Sequence, residues 1–328
     1  MTAELTTRIL PANDDAIAEA VRVLAAGGLV AFPTETVYGL GADATNGTAV
    51  ARLYAAKARP AFNPLIAHVA DIGSARRLAL FDAAAEKLAD AFWPGPLTLV
   101  LRKRVDCPVA ELATAGLDTI ALRVPAHPVA RDILRRLGRP VVAPSANRSG
   151  HVSPTTAAHV VSDLRGRIEL VIDGGPTPVG VESTIVGCAN GRALLLRPGG
   201  IARVEIEHVL GRPLAEAPRR EGEAPPAPGM LASHYAPKAR LRLNADSVQE
   251  GESLLAFGAD LPAGATRAER VLNLSERGDL VEAAANLFAH LRALDAAGAK
   301  TIAVMPVPHE GLGEAINDRL ARAAAPRE

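Results

Sequence analysis

GGLVAFPTETVYGLGADATNGTAVARLYAAKARPAFNPLIAH, residues 27–68, runs through strand, turn, helix and strand in a pattern that sets the fold class. An apolar strand over Leu29 to Phe32 runs into a hydroxyl-rich turn, Pro33-Thr34-Glu35-Thr36, and then into Tyr38-Gly39-Leu40-Gly41. A helix starting near Asn46 carries Val50, Leu53 and Tyr54 on one face and ends in Lys57-Ala58-Arg59-Pro60. Asn63-Pro64-Leu65 then leads to His68 on the next strand. Two cations, an amide, an imidazole and two hydroxyls thus fall at element ends, where function concentrates. Arginine forks and lysine point charges suit phosphate or carboxylate oxygens, so the pattern points to a polar, anionic small molecule.

Outward from this stretch, the chain alternates strands and helices. Asn13 is placed to cap a helix with Asp14 and Asp15 in its first turn, and Ile17, Ala20, Val21 and Leu24 form its buried stripe. Asp82 to Phe92 reads as helix until Trp93-Pro94-Gly95-Pro96 breaks it, and Leu97 to Leu101 follows as a strand. Thr119 to Val124 is a strand with Arg123 near its end; Pro128 opens and Gly138 closes the next helix. Pro140 to Ala143 is a strand running into Pro144-Ser145-Ala146-Asn147, and Ser153-Pro154 is expected to cap a helix reaching Leu164. Ile168 to Asp173 is a strand, and Glu182 to Val186 pairs with Ala193 to Arg197 around Asn190-Gly191. From about Gly211 to Pro237 periodicity vanishes, as in a linker. Beyond it, strands near 240–243, 253–257, 270–274 and 300–305 alternate with helices near 279–297 and 311–325, the pattern of a small parallel α/β domain.

Composition sets bounds on function. A chain of 328 residues predicts two domains, and 48% hydrophobic residues suffice for a sizeable core. The 36 basic and 36 acidic residues cancel, which removes any overall field for non-specific nucleic-acid recruitment. Cys107 and Cys188 stand apart with no CxxC spacing, as expected in a reducing cytoplasm without structural zinc. No apolar run reaches membrane-spanning length, and the expected location is cytoplasmic.

Taken singly, the polar groups have ordinary explanations. Lys57 and Arg59 suit the negative end of a helix, Ser145 and Asn147 suit a turn, and Ser183-Thr184 suits a strand. Their common placement at strand ends is the stronger signal, because open α/β sheets bind ligands in those crevices. Gly39-Leu40-Gly41-Ala42-Asp43-Ala44 matches a GxGxxA dinucleotide fingerprint in letters only: no helix opens directly behind the glycines, and no acid follows at ribose-binding distance. No GxxxxGK[ST], GxSxG or HExxH run is present.

The runs FPTETVYGLGADA, KARPAFNPLIAH, WPGPLTLVL, LRVPAHP, APSANRSGHVSPT, VESTIV and LRPG resemble, in order, the YrdC-type threonylcarbamoyl-AMP synthase family. APGMLASHYAPKA, and within it His234, Tyr235, Ala236, Pro237 and Lys238, resembles the signature of the long form with an added C-terminal domain. The resemblance implies a YrdC-like twisted open mixed sheet flanked by helices over 9–202, a linker and lid over 203–239, and a small Rossmann-like parallel α/β domain over 240–328. It implies synthesis of L-threonylcarbamoyl-AMP and pyrophosphate from L-threonine, bicarbonate and ATP, for threonylcarbamoyladenosine in tRNA next to the anticodon. By this likeness Thr36, His68, Arg123, Ala143 and Ser183 hold threonine, with Arg123 clamping its carboxylate bidentately. Arg59, Asn63, Thr119, Ser145, Ser153, Arg197 and Tyr235 contact ATP, and Lys57 with Arg59 stabilises charge at the phosphates. Mg2+ accompanies ATP without a dedicated protein cage. Downstream tRNA threonylcarbamoyl transferase machinery is the expected partner, with a weak RNA contact and no membrane.

The family often reads KGR where this chain has Ala58, which a helical backbone would accommodate. Its linker signature often carries a basic or aromatic residue where this chain has Met230-Leu231-Ala232-Ser233. Two rival readings compete. Carbamoyl-adenylate chemistry of the hydrogenase-maturation kind comes with zinc-finger and acylphosphatase modules that this sequence lacks. An RNA-binding module is disfavoured by zero net charge and 3% aromatic residues.

Overall fold

The computed structural model describes residues 5–188, 192–216 and 234–326. Among these a twelve-stranded mixed sheet forms the first unit. Its order is Arg8–Pro11, Leu170–Asp173, Val30–Pro33, Tyr38–Asp43, Val141–Val142, Ile66–His68, Thr119–Arg123, Leu97–Lys103, Thr184–Gly187, Leu194–Arg197 and Ala215–Glu216, with Ala79–Leu80 laid beside Leu97–Lys103. Helices cover both faces and supply two apolar layers, one containing Leu40, Leu53, Leu88 and Leu122, the other Leu24, Phe32, Ile133 and Ile172.

Local chemistry explains the helix boundaries. Asn13 Oδ1 accepts from the amide of Ala16 at 2.8 Å, and Asn46 Oδ1 accepts from Thr48 and Ala49 at 3.1 Å, so Asp14–Ala25 and Gly47–Lys57 begin where amide-capping residues stand. Pro128–Leu137 opens on proline and closes on Gly138 in the left-handed conformation. The helix expected from Ser153-Pro154 instead spans Ala157–Leu164 and is capped by Thr156, whose hydroxyl accepts from His159 N at 3.3 Å. Ser153 is buried and points elsewhere.

The two glycines of the GxGxxA run lie inside the strand Tyr38–Asp43, antiparallel to Val30–Pro33. A Cβ on Gly41 would fall 2.6 Å from the Phe32 ring. Glycine here permits close strand packing and serves no phosphate turn.

The strands Thr184–Gly187 and Leu194–Arg197 pair antiparallel as expected, while the turn at Asn190-Gly191 and the segment Met230–Ser233 fall outside the described residues. Arg203–Leu210, at the start of the segment expected to be linker, is a helix that buries Ile206 and Leu210 in the first unit's core. Its hydrophobic spacing makes those eight residues part of that unit rather than of a free connection.

The C-terminal unit is a four-stranded parallel sheet in the order Arg240–Arg242, Thr301–Val304, Glu252–Ala256, Val271–Asn273, with the helices Leu280–Ala296 and Gly313–Ala324. It docks through a shared apolar cluster in which Val37, Val152 and Val181 of the first unit meet Phe288, Leu291 and Ile316. Gly180 has φ +76° at this seam, and a Cβ there would fall 2.4 Å from the backbone of Ala284 and Ala285. The helix Leu280–Ala296 therefore rests directly on the loop preceding Glu182.

Ala58 corrects the expectation of a helical backbone. It has φ 51° and ψ 45°, the left-handed conformation, and closes Gly47–Lys57 as its C-cap. Such a conformation costs an L-residue about 1–2 kcal/mol, and a glycine there would lose roughly 0.4–1 kcal/mol of that gain to a more flexible unfolded chain. Ala58→Gly should therefore raise stability by about 0.5–1 kcal/mol in denaturant unfolding. Unchanged or lower stability would show that the conformation is not strained.

Candidate active site

Strand ends and their following loops meet in one hollow. Thr34, Thr36 and Val37 come from the turn after the second strand of the chain, and His68 and Arg123 from the ends of Ile66–His68 and Thr119–Arg123. Ala143, Pro144 and Ser145 follow Val141–Val142; Glu182 and Ser183 precede Thr184–Gly187; Arg197 ends Leu194–Arg197. Gly39, Arg59, Ile66, His234 and Tyr235 complete the lining.

One side is built around Arg123, which is 4% exposed. Its Nη2 donates to Glu35 Oε1 at 2.6 Å, its Nη1 to Thr36 Oγ1 at 3.0 Å and its Nε to Gly95 O at 3.3 Å. Glu35 Oε2 accepts from Ala126 N at 3.0 Å, which fixes the carboxylate in turn. Burial pushes the Glu35 carboxyl up, but the guanidinium beside it prevails and holds it below its usual range. Three of the five guanidinium N–H groups are thus engaged, so a carboxylate clamp is confined to the two remaining, one on each terminal nitrogen.

On the opposite side, Arg59 donates to the carbonyl oxygens of Asn63 at 3.2 Å and Pro64 at 2.9 Å, and Arg197 donates to Ser183 O at 2.8 Å. Burial lowers Arg59 to about 10 and lowers Arg197 as well; Arg59 remains a cation at neutral pH. Ser183 Oγ lies 2.7 Å from Thr98 Oγ1. Glu182 accepts from Ser153 and, at 2.7 Å, from Arg319 Nε. Tyr235 is buried with φ 63°, and its hydroxyl and His234 Nδ1 have no protein partner.

The structure brings Thr36, His68, Arg123, Ala143, Ser183, Arg59, Ser145, Arg197 and Tyr235 together on one lining. Ser153 stands one hydrogen bond behind it, on Glu182. Asn63 is buried beside Arg59 with Oδ1 unpartnered, and Thr119 is half-buried at the opposite end of its strand from Arg123; neither lines the hollow. Lys57 departs from its expected placement. Its Nζ donates to the carbonyl oxygens of Ser145 and Asn147, behind the wall, because the helix Gly47–Lys57 ends beneath that turn. Burial, and then the nearby Arg59 charge, drive its ammonium well below the usual range.

Four contributors were not assigned from the sequence. Glu35, Glu182 and His234 lie inside recognised runs, but their geometry is needed to show what they hold. Arg319 sits mid-helix in the C-terminal unit and carries no local motif.

Among the described residues no group of three or more His, Cys, Asp or Glu is placed to hold a metal ion, and no helix is long and apolar enough to cross a membrane.

Residues 22–199 match the family described as telomere recombination, and residues 201–325 match the family described as threonylcarbamoyl-AMP synthase, C-terminal domain. A relative from Bacillus subtilis (strain 168) named threonylcarbamoyl-AMP synthase is 43% identical over 342 residues, covering 100% of this chain and 96% of its own. Another of that name from Pyrococcus abyssi is 44% identical over 321 residues, covering 92% of each. The crystal structure of P. abyssi Sua5 complexed with L-threonine superposes with a TM-score of 0.87 at 40% identity over 97% of both chains. E. coli YciO, at 21% identity and a TM-score of 0.52, covers 60% of this chain and 96% of its own, and shares the fold of the first unit.

His68 supplies a test of how dry the hollow is. Burial first, and the Arg123 charge second, lower its pKa from 6.5 to about 3, so it is neutral when folded and protonates when unfolded below 6.5. The unfolded state then binds the extra proton, so stability is complete above pH 6.5 and falls as pH drops towards 3. His68→Gln should flatten the pH dependence of unfolding in that window by up to about 1.4 kcal/mol per pH unit. An unchanged slope would mean an imidazole that reaches water.

Proposed function

This chain belongs to the threonylcarbamoyl-AMP synthase family, and we propose that the hollow at the strand ends of its first unit, completed by His234 and Tyr235, carries the family's reaction through the residues described above. The enzyme forms L-threonylcarbamoyl-AMP and pyrophosphate from L-threonine, bicarbonate and ATP. The observation that carries the assignment of residues is the convergence of Arg59, Arg123 and Arg197 on one enclosed lining beside Thr36 and Ser183. Three guanidinium groups within one hollow, those of Arg123 and Arg197 buried and that of Arg59 half-buried, suit an amino-acid carboxylate next to a nucleotide's phosphates.

Threonine occupies the side formed by Thr36, His68, Arg123, Ala143 and Ser183. Arg123, steadied by Glu35, offers its two unengaged N–H groups to the carboxylate. The threonine amine combines with bicarbonate, releasing water, to give an N-carboxylate. One oxygen of that group attacks the α-phosphorus of ATP. The bond to the β-phosphate oxygen breaks, and pyrophosphate leaves with the electron pair. Arg59, Ser145, Arg197 and Tyr235 face the nucleotide, with Asn63, Thr119 and Ser153 supporting that side. Positioning and fixed charge supply the rate. Lys57 acts indirectly, by holding the Ser145 and Asn147 carbonyls.

Mg2+ would accompany the triphosphate and would shield its charge. Glu182, the carboxylate on the lining, already meets Ser153 and Arg319. The adenylate passes to tRNA threonylcarbamoyl transferase machinery in the cytoplasm, with a weak RNA contact on the way. Residues 234–239, the described end of the expected linker, run between the two units, with Ala236 N donating to Gly150 O at 2.8 Å. Tyr235 there serves as part of a lid that keeps water from the mixed anhydride.

Labelled pyrophosphate should exchange into ATP only when threonine and bicarbonate are both present. Exchange without either substrate, or none at all, would overturn this function. Arg197→Ala should lower the turnover by about 100- to 1000-fold, the usual loss of one positioned donor; a loss below tenfold would remove it from the phosphate site. Tyr235→Ala should raise the ratio of ATP hydrolysed to adenylate formed, and an unaltered ratio would exclude the lid role.

A further inference from the structure

Glu182 poses a problem for an anion site. It lines the hollow with Ser183 and Arg197, and a bare carboxylate there would repel a triphosphate. Its charge is answered from the other unit. Arg319, on Gly313–Ala324, is 0% exposed; its Nε donates to Glu182 Oε2 at 2.7 Å, its Nη2 to Pro198 O at 3.0 Å and its Nη1 to Asp318 Oδ2 at 2.6 Å. The guanidinium carbon also lies 5.2 Å from the centroid of the Tyr235 ring, which stacks on Phe288 at 5.6 Å and meets His234 edge-on at 4.0 Å. One side chain of the C-terminal unit therefore touches a lining carboxylate, the carbonyl after Arg197 and a lining aromatic ring.

We propose that Arg319 is a positioning residue of the nucleotide site, which turns Glu182 towards Ser153 and cancels its charge so that the hollow admits a triphosphate. On this reading the C-terminal unit completes the site electrostatically, and the first unit alone would present a carboxylate to the phosphates. The proposal rests on the placement of ATP beside Arg59 and Arg197.

The competing account is a purely structural clamp, and the interface contains a control for it. Arg292, on Leu280–Ala296, donates to Val152 O, to Asp163 Oδ2 at 3.0 Å and, weakly, to the backbone oxygen of Ser153 at 3.4 Å, holding the same two units together without touching a lining carboxylate. A clamp alone predicts equivalent behaviour for the two arginines. Neutralisation of Glu182 predicts that loss of Arg319 harms binding of the polyanion ATP far more than that of zwitterionic threonine.

The full-length enzyme should be assayed for threonine-dependent adenylate formation, with KM measured separately for ATP and threonine. Arg319→Met should raise the ATP KM at least about tenfold with the threonine KM within about twofold of wild type. Adding Glu182→Gln to Arg319→Met should bring the ATP KM back to within about threefold of wild type, since both charges are then gone. Arg292→Met should lower the melting temperature while leaving the ratio of the two KM values within about twofold. If Arg319→Met does not fold, Arg319→Lys, which keeps the charge but loses the fork, carries the comparison with about a threefold rise in ATP KM. Equal rises in both KM values, or a further loss on adding Glu182→Gln, would reduce Arg319 to a clamp. Wild-type enzyme that forms no adenylate would instead overturn the functional assignment, a separate outcome.

Discussion

Removing Lys57, Arg59, Arg123, Arg197 and Arg319 from water is the constraint that the rest of the structure answers. Lys57, Arg123, Arg197 and Arg319 are buried and Arg59 is half-buried, and an uncompensated buried charge costs several kcal/mol. The compensation is mostly backbone. Lys57 is met by the carbonyls of Ser145 and Asn147, Arg59 by those of Asn63 and Pro64, and Arg197 by Ser183 O. Carbonyls offer half of the remedy, since they solvate a cation without neutralising it. Carboxylates neutralise as well: Glu35 pairs with Arg123, and Glu182 and Asp318 pair with Arg319. The hollow keeps surplus positive charge, as a pocket for carboxylate and phosphate requires.

This arrangement also explains why the loops are ordered. A carbonyl that holds a guanidinium cannot drift without exposing a charge to a dry interior, so each cation fixes the loop opposite to it. Arg123 ties the Glu35–Thr36 turn to the loop at Gly95, and Lys57 ties the end of its helix to the Ser145–Asn147 turn. Sequence separations of up to 90 residues are bridged by single side chains. Site geometry and loop stability are thus set by the same contacts.

Legibility from sequence followed the range over which the physics acts. Caps, proline starts and glycine ends act within four residues, so Asp14–Ala25, Gly47–Lys57 and Pro128–Leu137 were readable to within a residue or two. The strand Tyr38–Asp43 was obscured because its glycines lower strand propensity, and only the tertiary approach of Ala143 to Gly39 and of Phe32 to Gly41 accounts for them. Ser153 read as a cap because serine before proline usually is one, whereas its hydroxyl serves Glu182 instead. Within the site, residue types at strand ends were informative, and nine of the expected side chains share one lining. Lys57 was misplaced because the same residue type suits a phosphate or a carbonyl pair, and spacing cannot tell them apart. Arg319 left no trace: a single arginine on an amphipathic helix reads as a solvated face.

The unpartnered atoms carry the last step. Tyr235 Oη, His234 Nδ1 and Asn63 Oδ1 are buried without a protein hydrogen-bond partner, at a cost of roughly 1–3 kcal/mol each. All three lie on or beside the Arg59 side of the hollow, and none lies on the Arg123 side, where Thr34, Thr36, Glu35 and Arg123 satisfy one another. The asymmetry matches the sizes of the two substrates: a small amino acid enters a wall already hydrogen-bonded, whereas a nucleotide brings donors and acceptors of its own. A wall that leaves polar atoms unmet is stabilised by the ligand that meets them, and that coupling connects nucleotide binding to the placement of Tyr235 and hence to the contact between the two units.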